Sequence, residues 1–226
     1  MRAFLCGVLL ILTCASTACL AQQDYVGRYD AFTGFSYLSS PKLNLDERGF
    51  NGEFGVNVTR WLAIGGDFSG FSGHSTLYPN DLATSVQQQL SAFAPLFPPG
   101  YALYVPFNST TFTYTAGPQF NYRGWKPVTF FIRPGLGAMH ETARLKPADP
   151  IQSAVVGAIA PSGSKSDTVV FYGVGGGIDL NTSDHVGIRL AADFVRTDLF
   201  HGLLKEPRNS VRLSIGPTFR WGRNVR

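Results

Sequence analysis

A chain of 226 residues in which 44% are hydrophobic, 13% aromatic and only 15% charged fits one domain, and it carries little charge for a protein that lives in water. Its 19 basic and 15 acidic residues are spread along the chain, which excludes a nucleic-acid-binding footprint. All three cysteines (Cys6, Cys14, Cys19) fall in the first 21 residues, so the remainder can hold neither a disulfide framework nor a thiolate metal site.

Those first residues read as an export signal. Arg2 supplies the positive end, residues 4–13 the apolar stretch, and Cys19-Leu20-Ala21 a small-residue cleavage site before Gln22. The apolar stretch is too short to span a bilayer. Lipidation at Cys19 is disfavoured, because Ser16 stands where such a signal carries Leu. The leader takes Arg2 with it, leaving 18 basic against 15 acidic residues, a net charge of +3 on roughly 205 residues. No later run of about eighteen apolar residues suggests a membrane helix.

The mature chain then alternates with period two, the signature of strands. Residues 27–38 set Tyr29, Ala31, Thr33, Phe35 and Tyr37 against Asp30, Phe32, Gly34 and Ser36. Residues 48–59 and 61–71 follow in the same manner around a tight turn at Thr59-Arg60. Residues 72–108 break the rhythm, yet Leu82, Val86, Leu90, Phe93 and Phe97 recur at helical spacing after Asn80 or Asp81 as a cap. Either a short amphipathic helix or a loop with incidental hydrophobes fits there.

Strands resume over 111–122 and 128–139, joined by a turn at Arg123-Gly124-Trp125-Lys126. A second long loop, 140–167, is rich in Ala, Pro, Gly and Ser. Strands over 168–180 and 186–196 surround the turn Asn181-Thr182-Ser183-Asp184. The last strand, 209–222, is the clearest. Val211, Leu213, Ile215, Pro217, Phe219 and Trp221 share one face, and Ser210, Arg212, Ser214, Thr218 and Arg220 the other. Pro118, Pro134 and Pro217 lie inside strands, each beside a glycine, and predict local bulges.

Eight strands of about ten residues each predict an all-β fold, an eight-stranded antiparallel up-and-down transmembrane β-barrel. Tight turns near residues 60, 124 and 182 alternate with longer connections at 39–47, 72–108, 140–167 and 197–208. Trp61, Trp125 and Trp221 gather at the short-turn rim with Tyr29, Tyr122 and Phe219, where an interfacial aromatic girdle belongs. A soluble barrel would also alternate, with its apolar face inward. Continuous apolar stripes and the one-sided tryptophans favour lipid outside.

The polar face carries Asp30, Glu53, Asp67, Asp179 and Asp193 against Arg133, Arg189, Arg212 and Arg220. An eight-stranded interior is just wide enough to be filled by side chains, so these charges are expected to pair and plug the lumen. Arg220 with Asp30 is the favoured pair, because the first and last strands must adjoin. A narrow or gated small-solute pore lined by the same residues is the alternative.

With its leader and the strands RWLAIGGDFSGF, YTAGPQFNYR and RLSIGPTFRWG, the chain resembles the small eight-stranded outer-membrane β-barrel proteins of Gram-negative bacteria, built like the transmembrane domain of outer membrane protein A. The resemblance covers nearly the whole mature chain. It implies long loops facing outside the cell and both termini in the periplasm. It further implies contact with outer-membrane lipid and lipopolysaccharide, and recognition by the barrel-assembly machinery. Family members end on an aromatic residue, whereas here Trp221 is followed by Gly-Arg-Asn-Val-Arg; Phe219 and Trp221 are expected to supply that signal.

The resemblance carries over no catalytic residues. His74, His140, His185 and His201 show no Ser–His–acid spacing, which argues against an outer-membrane lipid-modifying enzyme. Gly173-Val174-Gly175-Gly176-Gly177 lacks the helix of a nucleotide loop, and the Asn57 and Asn108 glycosylation patterns carry no weight in a bacterial chain. No metal or other cofactor is implied. Phe93, Phe97, Tyr101, Tyr104 and Phe107 crowd the 72–108 loop among five prolines; they either form a contact surface for an extracellular ligand or pack on the barrel mouth. The expected role is a monomeric envelope protein that is structural or binds through its surface loops.

Overall fold

The computed structural model describes residues 23–92 and 94–225, so the expected leader and Phe93 lie outside the described residues. Eight strands form a closed antiparallel barrel, each paired with its sequence neighbours: β1 (Gly27–Ser40), β2 (Leu45–Asn57), β3 (Leu62–Leu77), β4 (Val105–Trp125), β5 (Val128–Leu145), β6 (Ser164–Asn181), β7 (Val186–Thr197) and β8 (Arg208–Asn224). β1 closes on β8 with Asp30 opposite Arg220. Among the described residues no helix is long and apolar enough to cross a membrane; the strands do the crossing.

The apolar stripes face outward. Ile64, Tyr114, Ile132, Leu136, Val170, Leu213 and Ile215 are each half or more exposed, while their strand neighbours are buried or half-buried. Water would penalise so continuous an apolar belt, and hydrocarbon does not. Its upper edge is sharp. Outward positions change from Phe50 to Arg48 on β2, Phe112 to Thr110 on β4, Ala138 to His140 on β5, Phe194 to Arg196 on β7 and Val211 to Asn209 on β8. From Trp221 up to Val211 the chain climbs about 25 Å at the usual strand tilt, the height of an outer-membrane apolar band.

Several connections are shorter than the sequence suggests. β1 and β2 are joined by a single 3-10 turn at Pro41–Leu43, closed by Asn44 in the left-handed region at φ 46°. β3 and β4 run past the apolar belt to pair Leu77 with Val105, and β5 and β6 pair Arg144 with Ser164. The long loops are thus 78–104 and 146–163, not 72–108 and 140–167. Each contains a helix. α1 (Thr84–Ser91) answers the helical spacing, although neither Asn80 nor Asp81 caps it: its N-cap is Ala83, and the Asp81 carboxylate instead accepts the Tyr78 N–H at 2.9 Å. α2 (Pro150–Ile159) was not expected; Asp149 caps it by accepting the Gln152 N–H at 2.8 Å, with proline at the first turn.

The prolines correct another expectation. The two register shifts lie between Gly27 and Tyr29 and between Tyr122 and Trp125, not at Pro118, Pro134 or Pro217. The β4–β5 register sets Pro118 opposite Pro134, and pairing simply lapses between Ala116 and Phe120 without a shift. Each proline stays paired with its other neighbour, Ile64 and Val174 respectively. Two residues lacking N–H groups face one another, so one lapse in the ladder serves both.

Candidate functional site

The period-two alternation that turns apolar side chains toward lipid turns the charged ones into the lumen. Within the lipid-facing height they form one chain of alternating sign. Arg220 Nη2 bonds Asp179 Oδ2 at 2.9 Å, and Asp179 Oδ1 accepts from Arg189 Nε at 2.8 Å. Arg189 Nη1 reaches Glu53 Oε2 at 2.5 Å, and the same oxygen lies 2.9 Å from Arg133 Nη1. Arg133 Nη2 meets Asp193 Oδ1 at 3.1 Å. Arg212 then bridges Asp193 at 2.9 Å, Asp67 at 2.7 Å and the Ser69 hydroxyl at 2.7 Å.

All nine lumen charges expected from the sequence therefore meet in one cluster. The favoured pair differs in detail: Arg220 faces Asp30 across the closing seam at 3.9 Å, but its short bonds go to Asp179 and, at 2.6 Å, to Asn181. Asp30 leans instead on Arg189 at 3.3 Å.

Other contributors were not expected from the sequence. Arg123, which the sequence places in a turn, points inward, nearly fully buried, and donates to Asn57 Oδ1 at 3.1 Å and to the Arg60 carbonyl. The Arg189 guanidinium lies 4.7 Å from the Phe131 ring centre and 5.7 Å from that of Phe32. Glycines make room for this filling: a Cβ on Gly175 would stand 1.7 Å from Asp193 Oδ1. Among the described residues, two cavities of about 20 Å³ each lie between these side chains, one beside Arg212 and Asp193 and one beside Asp30 and Arg189. Each suffices for about one water molecule.

A second cluster sits above the lipid-facing belt, where Asp46 and Arg48 flank Glu47 on the polar outer surface. Glu141 pairs with Arg208 at 2.6 Å and accepts from Ser109 at 3.1 Å. Glu47 accepts from the Thr111 hydroxyl at 2.9 Å and makes no ion pair among the described residues. Burial, with Glu141 nearby as a like charge, pushes the Glu47 carboxyl up to about 7. The sequence reading assigned all three residues to loops.

The long-loop end is roofed by a folded cap. Leu82 and Leu90 of the β3–β4 loop pack with Val155 of α2, and Phe97, Leu103 and Leu203 close around them. Backbone bonds knit the loops together: Ala83 N–H donates to Leu203 at 2.8 Å and Lys205 N–H to Asp81 at 3.0 Å. Of the aromatics proposed as loop contacts, Phe97 packs against Tyr101 with ring centres 5.5 Å apart and the planes tilted, and Tyr101 donates its hydroxyl to Asp149 at 2.8 Å. Phe107 lies buried on β4, inside the strand wall rather than in a loop; Tyr104 remains exposed.

At the opposite rim Tyr29, Trp61, Tyr122, Trp125, Phe219 and Trp221 all point outward and exposed. Tyr29 lies 6.0 Å from Trp221, and Trp61 stacks on Phe120 at 6.2 Å. The histidines are scattered. His74 lies on β3, three residues before its end, and His140 shares a hydrogen bond with Thr168 at 2.7 Å. His185 sits in the β6–β7 turn against Tyr25, and His201 in the last loop. Among the described residues no group of three His, Cys, Asp or Glu side chains converges on a metal position.

The fold is that of known outer-membrane barrels. The outer membrane protein OprG of Pseudomonas aeruginosa superposes with a TM-score of 0.55 at 11% identity, over 89% of this chain and 99% of that one. Neisserial surface protein A gives 0.49 at 13% identity, over 85% and 96%. The attachment invasion locus protein Ail of Yersinia pestis gives 0.46 at 16%, over 86% and 99%. No curated protein matches the sequence. Residues 7–224 match the family described as the outer membrane protein beta-barrel domain, and the chain belongs to that family.

Proposed function

We propose that this protein is a non-conducting outer-membrane barrel that anchors a folded cap at the cell surface, with a structural role or a contact role carried by that cap. The observation that carries the reading is the lumen. An alternating chain of five carboxylates and four arginines spans it, leaving voids of about 20 Å³. Such a chain does not part cheaply, because separating any buried pair strands a charge. The long-loop rim faces outside, and the tryptophan rim lies at the periplasmic interface. Phe219 and Trp221 present the aromatic end that the barrel-assembly machinery reads.

Conductance tests the reading directly. Purified protein in planar bilayers is expected to leave the membrane as resistive as bare lipid. Reproducible open-state steps would replace this reading with that of a narrow or gated pore. Surface contact has its own test. Replacing residues 79–103 by a short Gly-Ser linker should leave a barrel that still shifts in electrophoretic mobility on heating. Cells displaying that variant should lose adhesion to glycan and matrix-protein arrays that hold the wild type. Equal adhesion would leave only the structural role.

A further inference from the structure

Beneath the cap lies a cavity of about 50 Å³. Leu77, Val105, Phe107 and Ala143 line it from the barrel wall, with Val155 and Val156 of α2 and Leu203 of the last loop among the residues that cover it. Every one of these side chains is apolar. The only charged lining residue is Lys165, which stands exposed on the inner face of β6 opposite Ala143 and makes no ion pair among the described residues.

One lining residue has an unusual backbone. Phe200 adopts φ 56°, a left-handed conformation that a bulky side chain rarely takes, with its ring in the lining and its N–H caught by Asp167. An apolar void of this kind stays dry and takes an apolar guest. Size chooses among guests. An engineered cavity of roughly 150 Å³ admits benzene; a third of that space excludes a ring but accepts the end of an alkyl chain. Charge chooses the other end of the guest, since an unpaired ammonium at the exposed edge attracts an anion.

We infer that this cavity is a binding site for a single-chain amphipathic anion of the fatty-acid class. The terminal methyl end enters between α2 and the strand wall, and the carboxylate sits at Lys165. The site lies in the upper barrel interior, lined by none of the nine ion-paired lumen residues, and does not depend on whether the barrel conducts or on what the outer surface of the cap touches.

The test uses the full mature chain in lipid nanodiscs with octanoate, which partitions weakly into lipid, followed by saturation-transfer NMR and calorimetry. Octanoate is expected to bind with its terminal methyl most strongly saturated, and about tenfold more tightly than octylammonium. Lys165→Gln, a change at an exposed side chain, should abolish that preference while leaving the barrel heat-modifiable. Ala143→Phe, which fills the cavity, should remove binding altogether. No octanoate binding by the wild type would overturn the proposal. So would equal binding by wild type and both variants, which is partition into lipid, or a preference for toluene over octanoate. If Ala143→Phe disturbs the cap, the charge preference of wild type against Lys165→Gln decides alone.

Discussion

Glu47→Gln should make this barrel more stable above neutral pH and flatten its pH dependence. Glu47 is fully buried above the lipid-facing belt, and its bond to Thr111 does not replace the water it has lost. Its carboxyl rises from 4.5 to about 7 in the folded protein. A raised carboxylate pKa means that the folded state holds a proton which the unfolded chain has released. The stabilisation is therefore complete below pH 4.5 and is lost as pH climbs through 7. At 1.36 kcal/mol per pKa unit the loss amounts to about 3 kcal/mol. Glutamine is a neutral isostere that never ionises, so the variant lacks this slope. Urea unfolding in lipid vesicles, followed by tryptophan fluorescence at pH 4.5 and pH 8, measures both proteins. The other titrating groups cancel in the difference between the two slopes. Parallel slopes would refute the argument, because Glu47 would then titrate alike in the folded and unfolded chain.

Three further outcomes follow from the lumen and the cap. Arg212→Ala leaves Asp67 and Asp193 without their shortest partner and should cost about 3–5 kcal/mol in urea unfolding; adding Asp67→Ala should return part of that loss. Gly175→Ala puts a methyl where the Asp193 carboxylate sits and should cost about 1–3 kcal/mol, whereas Gly52→Ala, with only a backbone oxygen at 4.0 Å, should change stability by under about 0.5 kcal/mol; the temperature at which each barrel loses its fast-migrating form ranks them. Asp149→Ala removes both the α2 cap and the Tyr101 hydroxyl's partner and should destabilise the helix by about 1 kcal/mol, seen as faster hydrogen exchange over 150–159 with the barrel's heat shift unchanged.

The barrel was legible in the sequence wherever one solvent lies on each side of the wall. On β8, Val211 to Trp221 face lipid and Arg212 to Arg220 face the lumen, so alternation fixes both the strand and its register. The lumen charges were legible for the same reason, as polar residues recurring on the wrong face for a soluble strand. Which charges would bond was not. The choice of Arg220 for Asp179 over Asp30 depends on side-chain reach across the lumen, which no strand pattern encodes. Arg123 continues the inward alternation of Gln119 and Asn121, and it was missed because the sequence reading ended that strand at Tyr122 and gave residues 123–126 to a turn. Phe32, Phe131 and Phe171 look misplaced on a polar face until the glycines beside them are counted: Cβ atoms on Gly34, two residues along β1, and on Gly177 and Gly137, opposite on the neighbouring strand, would come within 2.8 Å of those rings.

The loops were overdrawn for a reason that lies in the surroundings of the wall. On β4, Phe112 and Tyr114 point out and Thr111 and Thr113 point in; earlier on the same strand Asn108 and Thr110 point out while Val105 and Phe107 point in. β5 changes in the same way, from Leu136 outside to His140, Thr142 and Arg144 outside, with Met139, Ala143 and Leu145 turning inward. The strand does not end at this change; its preferred solvent does. In hydrocarbon the apolar face must be outside, and in water it must be covered, here by the cap. A search for one unbroken apolar stripe stops at the inversion, which is why the expected strands began at residue 111 and ended at 139. The inversion therefore marks where the wall leaves the membrane. Above it the same barrel behaves as a soluble domain, with a core of its own formed by the cap, and it is there that the fold leaves room for a small apolar guest.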